Sequence, residues 1–430
     1  MNGKTAYLNF SCYFYPLDED NNSFIKMILL YNIGIYSYYS LLYLASFFNK
    51  KAKLWINGRK GQSFVRYTDS IWFHFASLGE FEQGRPVLEK MRELQPERKI
   101  VITFFSPSGY EIRKNTPLAD AVYYLPLDTA ANARKFIEAV QPGVAIFTKY
   151  EYWYHFFHNL HKRGIPLYII SGIFREEQVF FKWYGGLHRK MLSFVSHFFL
   201  QDANSKKLLE SININNATVS GDTRFDRVWA NAQQPKHLPE IAAFVNGAKA
   251  FVCGSTWPAD ERLLADLISA QSGYKFIIAP HEVGEAHITD ITALLQAYKV
   301  LRYSHISESV VLNKYDVLII DNIGMLSSLY QYGQIAYIGG GFGVGIHNTL
   351  EAAAFGLPVI FGPNYAKFKE AKDLITLKAG FSVTNESELK SIAGKLMTDE
   401  GFYASASQKA RQYVDEQKGA TEMIISYINR

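Results

Sequence analysis

A glycine-rich loop is the feature of this sequence best suited to ligand chemistry. Apolar residues 335–338 lead into five glycines within 339–345, and residues 347–356 are predicted to form a helix. Glycines let the backbone approach a ligand, and the first N–H groups of a helix lack internal partners, so such a loop is typical of phosphate binding. Glu351 in the predicted first turn would repel a phosphate but accept hydrogen bonds from sugar hydroxyls. The loop therefore predicts a sugar-nucleotide site.

A second candidate group is the carboxylate of Glu80 in the segment ASLGE, which follows an apolar, strand-like run. Glu80 falls in the first turn of the next predicted helix. Two interpretations stay open: the carboxylate complements the helix dipole, or it faces a cleft as a general base. Apolar surroundings from Phe73, Phe75 and Phe81 would raise its pKa.

Charged residues follow two more predicted strands. Lys149 and Glu151 could contact a phosphate and a hydroxyl, although a solvated pair beside an aromatic core explains them equally well. Arg224, in the segment GDTRFD, would overlook a cleft between domains. In the second half of the chain, candidate ligand contacts follow the ends of predicted strands at Ser255 and Thr256, at Pro280 and His281, and at Asp321 to Met325.

Several classes of site are disfavoured. No GxxxxGK[ST] motif occurs, which excludes a P-loop, and the glycine loop is an imperfect GxGxxG placed late in its unit. His281 and His347 lack a ligand set at metal spacing, so no metal site is expected. Only Cys12 and Cys253 are present, which indicates a reducing compartment and no disulfide scaffold.

Composition is that of a globular protein of at least two domains. The chain has 430 residues, 48% apolar and 20% charged. Short apolar runs alternate with helix-length segments in two series, which predicts two doubly wound α/β domains. The polar, proline-containing residues after Val228 are taken as the connection. The predicted boundaries are an extension at 1–26, an anchor helix at 27–49, one domain at 50–228, a linker at 229–244 and a second domain at 245–430.

The segment from Met27 to Asn49 contains no charged residue and as a helix is about as long as a hydrocarbon core is thick. Lysines at 50, 51 and 53 follow it, and an acidic cluster lies on its other side. The segment predicts a membrane anchor, spanning or interfacial, with everything after residue 50 in the cytoplasm. A buried core helix is the alternative, and Met27 is a second candidate for the start of translation.

Taken together, the motifs resemble those of the 3-deoxy-D-manno-octulosonic acid (Kdo) transferases of lipopolysaccharide and lipid A biosynthesis. The resemblance runs from about Met27 to near the C-terminus. Its points are WINGRKG, ASLGE, FFSPSGYE, YYLPLD, GDTRFD, GSTWPADE, PHE, DNIGML and GIHNTLEAAAFGLPVIFGP. Their order and spacing make it specific.

The resemblance implies a GT-B fold, with two Rossmann-like domains facing a cleft and an N-terminal membrane-anchoring helix. It implies an inverting transfer of Kdo from CMP-Kdo to a hydroxyl of a lipid A precursor, lipid IVA, in lipopolysaccharide core biosynthesis. Glu80 matches the general base, while Glu151 and Arg224 match positions that stabilise the transition state. The implied CMP-sugar site comprises Ser255, Thr256, Pro280, His281, Ile323, Gly324, Met325, Asn348, Thr349, Leu350 and Glu351.

The implied partners are CMP-Kdo, the lipid A precursor and inner-membrane lipids, with no nucleic acid and no cofactor or metal. The implied location is the inner membrane, with the catalytic domains on its cytoplasmic face. The sequence departs from the family pattern at Lys149, His281, Arg224 and Thr349, where an acidic residue, Arg, Lys and Pro are usual. The alternatives are another GT-B sugar-nucleotide enzyme, such as a UDP-sugar transferase or epimerase, and a membrane-tethered binding protein without turnover.

Overall fold

Two parallel α/β units make up the chain. The computed structural model describes residues 20–270 and 273–429, and the chain divides into two compact units between Val219 and Ser220. Each unit has a seven-stranded sheet in which every strand pair is parallel. The predicted pair of doubly wound α/β domains is therefore confirmed.

The first unit opens with two helices and then alternates strands with helices. Its elements in chain order are α1 (Asp20–Ala45), α2 (Lys50–Arg59), β1 (Ser70–Phe75), α3 (Leu78–Leu94), β2 (Ile100–Phe104), α4 (Pro107–Arg113), β3 (Ala121–Tyr124), α5 (Ala130–Val140), β4 (Pro142–Thr148), α6 (Tyr154–Lys162), β5 (Leu167–Gly172), a 3-10 turn (Val179–Phe181), α7 (Gly186–Leu192), β6 (His197–Leu200), α8 (Ala203–Glu210) and β7 (Ala217–Val219).

The second unit follows the same alternation and ends in three helices. Its elements are α9 (Thr223–Gln233), α10 (Pro239–Val245), β8 (Lys249–Thr256), α11 (Pro258–Ala270), β9 (Tyr274–Pro280), α12 (Glu285–Leu294), β10 (Val300–Arg302), 3-10 turns (Tyr303–His305, Leu312–Lys314), β11 (Val317–Ile319), α13 (Leu326–Leu329), a 3-10 turn (Tyr330–Tyr332), β12 (Ile335–Ile338), α14 (Leu350–Ala354), β13 (Val359–Phe361), α15 (Lys369–Thr376), β14 (Gly380–Ser382), α16 (Glu386–Thr398), α17 (Glu400–Gln417) and α18 (Ala420–Ile428).

The order of strands reverses once in each sheet. In the first it is β3-β2-β1-β4-β5-β6-β7, and in the second β10-β11-β9-β8-β12-β13-β14. The crossovers therefore run in opposite directions on either side of the β1–β4 and β8–β12 pairs. Open parallel sheets bind ligands beyond the carboxyl ends of the strands at such a switch point. The loops after these four strands are the places to look for a site.

The predicted linker at 229–244 is not a connection in the structure. Its residues form the end of α9, a short non-helical stretch at 234–238 and most of α10, and all of them lie within the second unit. Ile241 and Phe244 are fully buried in the core of that unit, together with Val228. The apolar residues at helical spacing decide the fold of this segment. Pro239 starts α10, and Pro235 lies in the stretch between the two helices.

The predicted anchor helix exists but has different ends. α1 begins at Asp20, inside the predicted extension, whose first 19 residues lie outside the described part of the chain. It stops at Ala45 because the chain turns there and Asn49 caps α2, its Oδ1 accepting from Ala52 N at 3.1 Å. The stretch Phe24–Ala45 is long and apolar enough to cross a membrane.

Close packing holds α3 against the carboxyl ends of β1 and β4. A Cβ added to Gly84 would lie 2.5 Å from Cε1 of Phe75 and 2.8 Å from Oγ1 of Thr148, both fully buried. The absence of a side chain at this position therefore allows α3 to approach the sheet and present its first turn beyond β1.

Gly84→Ala is expected to destabilise the protein. Overpacking costs about 1–3 kcal/mol, which outweighs the gain in helix propensity of up to ~1 kcal/mol. Gly79→Ala is the matched control in the same helix, because only Ser77 Oγ, at 3.9 Å, lies near its added Cβ. Thermal unfolding of both variants tests this: an equal effect of the two substitutions would contradict the packing argument.

Candidate active site

Two carboxylates lie at the switch point of the first sheet. Glu80 is in the first turn of α3, which follows β1, and Glu151 comes three residues after β4. β1 and β4 are hydrogen-bonded neighbours. The negative charge of Glu151 acts on Glu80, so the structure brings the two predicted carboxylates together.

The surroundings of Glu80 make it a stronger base than an ordinary carboxylate. Its side chain is half-buried and its Oε2 accepts a hydrogen bond from Ser77 Oγ at 3.0 Å. Burial, followed by the negative charge of Glu151, raises the pKa of Glu80, and the Ser77 hydrogen bond and the charge of Lys149 only partly oppose this. A raised pKa brings a carboxylate closer to the range in which general bases work.

Glu151 is held by a buried hydrogen-bond network. Trp153 Nε1 donates to Glu151 Oε2 at 3.0 Å, and His74 Nε2 lies 3.2 Å from the same oxygen. His74 Nδ1 is 2.8 Å from Thr103 Oγ1, which accepts a hydrogen bond from Trp72 Nε1. Thr103 Oγ1 also donates to the Phe73 carbonyl oxygen at 3.4 Å, so the ring of His74 links a bonded hydroxyl to Glu151. The network fixes Oε2 of Glu151.

Two substitutions beside Glu80 are expected to move the acid limb of the activity–pH profile in opposite directions. A general base works only when deprotonated, so activity is lost as pH falls through the pKa of Glu80. Glu151→Gln removes a charge that raises this pKa and should shift the limb to lower pH. Ser77→Ala removes a hydrogen bond that lowers it and should shift the limb to higher pH.

The measurement is kcat/KM against pH for both variants and the unaltered protein. Shifts in the same direction, or an unchanged limb in both variants, would show that Glu80 does not set the acid limb.

Arg224 lies in the second unit, near the start of α9, between two buried carboxylates. Its Nε and Nη2 contact Asp222 Oδ2 at 2.9 and 2.8 Å, and its Nη1 contacts Glu370 Oε1 at 2.9 Å. Burial disfavours the charged form, but the two carboxylates outweigh it and raise the pKa of Arg224. The guanidinium therefore stays charged and fixed in direction, and it partly offsets the two negative charges of Asp222 and Glu370.

The predicted donor residues of the second unit gather around the β8–β12 switch point. Ser255 and Thr256 end β8, and Ser255 has a left-handed φ of 54°. His281 follows β9, and its backbone N donates to the Thr256 carbonyl at 2.9 Å. Backbone strain of this kind at the end of a strand is typical of functional sites. Pro280 completes β9 beside them.

An aromatic stack joins three loops at this point. The ring of His281 lies 4.7 Å from that of Trp257 and 4.5 Å from that of His347. Trp257 Nε1 donates to His347 Nε2 at 3.1 Å. Burial, and then the charge of His281, lowers the pKa of His347 to about 4. His347 is therefore neutral at pH 7, with Nε2 as the acceptor, and exposed His281 is the ring that stacks on both of the others.

The predicted binding of phosphate by the glycine N–H groups is wrong for four of the five loop glycines. A Cβ on Gly341 would lie 2.6 Å from Gly362, so this glycine allows two loops to touch. The buried carboxylate of Asp260 accepts the hydrogen bond from Gly340 N that a ligand phosphate was expected to accept. The four internal donors are Gly339 to the Gly254 carbonyl, Gly340 to Asp260 Oδ2, and Gly343 and Gly345 to the Gly340 carbonyl.

The predicted helix at 347–356 is also shorter than expected. α14 covers only Leu350–Ala354, because Asn348 Oδ1 accepts from Leu350 N at 3.1 Å and starts the helix later. Asn348 Nδ2 also donates to Glu351 Oε1 at 3.0 Å. The buried Thr349 Oγ1 has no hydrogen-bond partner among residues 20–270 and 273–429. The hydrogen bond from Asn348 Nδ2 thus orients the carboxylate of Glu351.

The remaining predicted contacts, Ile323, Gly324 and Met325, form the turn before α13. Ile323 is 86% exposed, Gly324 has a φ of 100°, and Met325 packs against the core of the unit. Tyr330, in the 3-10 turn after α13, is fully buried and within electrostatic range of Glu351. Met325 and Tyr330 belong to the same core, so the core connects this turn with the region of Glu351.

Sequence reasoning missed His74, Asp260 and Glu370 as partners of the site. A histidine in the middle of the apolar segment SIWFHF was a signal for His74, since a buried imidazole needs polar partners. Asp260 is 80 residues from Gly340 and Glu370 is 146 residues from Arg224. A local sequence pattern does not indicate contacts over such separations.

Comparison with known proteins agrees with the motifs. The family model for 3-deoxy-D-manno-octulosonic-acid transferase matches residues 48–227. The chain is 26% identical to the 3-deoxy-D-manno-octulosonic acid transferase of Chlamydophila psittaci over 81% of its length and 82% of that protein. It is 26% identical to the transferase of that name from Aquifex aeolicus, over 74% of the chain and 84% of that protein.

A solved structure carries the same fold. UDP-GlcNAc 2-epimerase from Neisseria meningitidis, bound to UDP-GlcNAc, matches with a TM-score of 0.59 and 14% identity over 84% of this chain and 99% of that chain. At this identity the likeness concerns the fold alone, and that fold is GT-B. The sequence matches are long enough to span both units, and the chain is similar in sequence to the 3-deoxy-D-manno-octulosonic acid (Kdo) transferases, a family of glycosyltransferases.

Proposed function

We propose that the protein transfers Kdo from CMP-Kdo to a hydroxyl group of a lipid A precursor, lipid IVA, with inversion at the anomeric carbon. The observation that carries this proposal is the position of the predicted groups at the two switch points. Glu80 and Glu151 follow the reversing strands of the first sheet, and the predicted donor residues surround those of the second.

In the proposed reaction, Glu80 takes the proton of the acceptor hydroxyl as its oxygen attacks the anomeric carbon of Kdo. The new C–O bond forms while the bond between that carbon and the phosphate oxygen breaks, and CMP leaves. The raised pKa of Glu80 supports the role of base. Glu151, with one oxygen held by Trp153 and His74, is proposed to stabilise the transition state.

The second unit is proposed to bind CMP. His281, Ser255 and Thr256 lie together at the end of β8 and β9, where a nucleotide is expected in an α/β sheet. Glu351, directed by Asn348, is proposed to accept hydrogen bonds from the ribose. Arg224 is proposed to stabilise the charge that develops on the departing phosphate, and its permanent charge and fixed direction support that role.

The reaction is proposed to need no metal ion, since the donor leaves a single phosphate whose charge Arg224 and backbone N–H groups can stabilise. Addition of a chelator such as EDTA is expected to leave the transfer rate unchanged. A loss of activity that Mg²⁺ restores would contradict this part of the proposal.

The proposed place of action is the cytoplasmic face of the inner membrane. The apolar stretch Phe24–Ala45 supports membrane attachment, and exposed Lys50, Lys51 and Lys53 follow it. Membrane attachment would bring the enzyme to an acceptor that is itself a lipid. Inner-membrane lipids are thus proposed as partners, along with the donor and the acceptor.

Titration calorimetry with CMP and with UDP tests the donor. The proposal expects CMP to bind more tightly than UDP. Tighter binding of UDP would favour a UDP-sugar transferase or epimerase. Binding of CMP with no turnover of CMP-Kdo on any lipid A precursor would favour a binding protein without catalysis.

A further inference from the structure

Helix α1 has two faces with different surroundings. Residues of one face contact the first α/β unit at intervals of three or four along the helix, and Ile35 at its middle is only 9% exposed. The contacting residues of this inner face are Phe24, Met27, Ile28, Tyr31, Asn32, Ile35, Tyr38 and Tyr39. The contact covers four helical turns, about 22 Å.

Hydrogen bonds fix the inner face to the unit. Tyr31 OH donates to Asp128 Oδ2 at 2.6 Å, and His155 Nε2 lies 2.7 Å from Asn32 Oδ1. Asp128 is 1% exposed and also accepts the backbone N–H groups of His155 and Phe156 at the start of α6. Polar groups near the middle of α1 are thus bound to a buried carboxylate and to a helix end.

The outer face of α1 is exposed and mainly apolar, with Ser37 and Ser40 as polar residues within it. Leu29, Leu30, Ile33, Leu41 and Leu44 have exposed fractions between 53% and 67%. Exposed cations lie at both ends of this outer face: a lysine at 26 precedes it, and lysines at 50, 51 and 53 follow it on α2. An apolar helical face flanked by lysines is complementary to the acyl chains and anionic headgroups of a bilayer surface.

We propose that α1 lies in the plane of the bilayer surface, with its outer face in the interface and its inner face on the α/β unit, and does not cross the membrane. The proposal rests on the membrane attachment proposed above and specifies its geometry. A crossing helix would carry its middle, with Tyr31 and Asn32, into the hydrocarbon. Asp128 and His155 would then either enter the hydrocarbon with the helix or lose their hydrogen bonds to it. Both outcomes cost free energy, because polar groups in hydrocarbon lack water as a partner.

The in-plane geometry brings the carboxylates to the membrane surface. The ring of Tyr38 on α1 stacks on Phe105 at 6.2 Å, and Phe105 stacks on Trp153 at 5.0 Å. Trp153 Nε1 donates to Glu151 Oε2. The rings of Tyr38, Phe105 and Trp153 therefore connect α1 with Glu151, which places this carboxylate on the side of the unit that α1 covers.

Spin labels on the outer face test the geometry. Single cysteines replace Leu29, Ile33 or Leu44 in the full chain with Cys12→Ser, and Cys253 is fully buried. A label at exposed Ser211 is the reference for water. Labelled proteins are bound to vesicles of phosphatidylethanolamine and phosphatidylglycerol, and depth is read from collisions with oxygen and a nickel chelate.

Ile33 and Leu44 lie on one side of the helix, three turns or about 16 Å apart along its axis. The proposal expects the three labels at one depth, near the headgroup–acyl boundary. A deep label at Ile33 with a shallow one at Leu44 would show a crossing helix and overturn the geometry while keeping membrane attachment. No binding to vesicles, or labels shielded from both reagents in a dimer, would overturn the proposal and the attachment together.

Discussion

Glu80→Gln is expected to lower the rate of Kdo transfer by about 10²–10⁴-fold, the usual contribution of a general base. The amide keeps the volume of the side chain and can still accept from Ser77, so the fold should be unchanged. CMP binding should also be unchanged, since the proposed CMP residues belong to the second unit. Single-turnover rates and CMP titration of the purified variant measure both quantities.

The matched control is Glu89→Gln in the same helix. Glu89 is paired with Arg85 on the outer part of α3 and has no role in the proposed chemistry. Full activity in the control with full activity in Glu80→Gln would remove Glu80 from the mechanism.

Arg224→Ala is expected to have two effects. It removes the guanidinium that contacts the buried carboxylates of Asp222 and Glu370, which costs about 3–5 kcal/mol of stability. It should also slow transfer more than it weakens CMP binding, because the proposed role of Arg224 lies in the transition state. Urea unfolding and single-turnover kinetics measure the two effects separately.

A neutral version of the cluster separates these effects. Arg224→Met combined with Asp222→Asn and Glu370→Gln removes the buried charges together and should recover most of the lost stability. Asn keeps the capping hydrogen bond that Asp222 gives to α9. Transfer should stay slow in the triple variant. Recovery of both stability and activity would show that Arg224 has only a structural role.

Local patterns were sufficient to predict most strands of the two sheets and the fold class. Apolar runs such as residues 70–75 and 335–338 are long enough to be read as buried strands, and ligand groups follow them because parallel strands end at one edge. The short strands β7, β10 and β14 have three residues each and were missed. Three residues are too few for an apolar pattern that distinguishes a strand from a loop.

Contacts between distant residues could not be predicted. Asp260 accepts the hydrogen bond from the N–H group of Gly340, so this group is not left for a phosphate. The glycine loop instead packs closely against the loop at Gly362. Glu370 similarly changes the surroundings of Arg224. Both partners come from elements far away in the sequence, and only the folded sheet brings them to the site.

The central claim is the transfer of Kdo from CMP-Kdo to a lipid A precursor, and the mass of the product tests it most directly. The purified full chain is incubated with CMP-Kdo and a tetraacylated lipid A precursor, and the lipid is analysed by mass spectrometry. The account predicts a lipid heavier by one or more Kdo residues, with release of CMP. An acceptor of unchanged mass, from a folded protein that binds CMP, would contradict it.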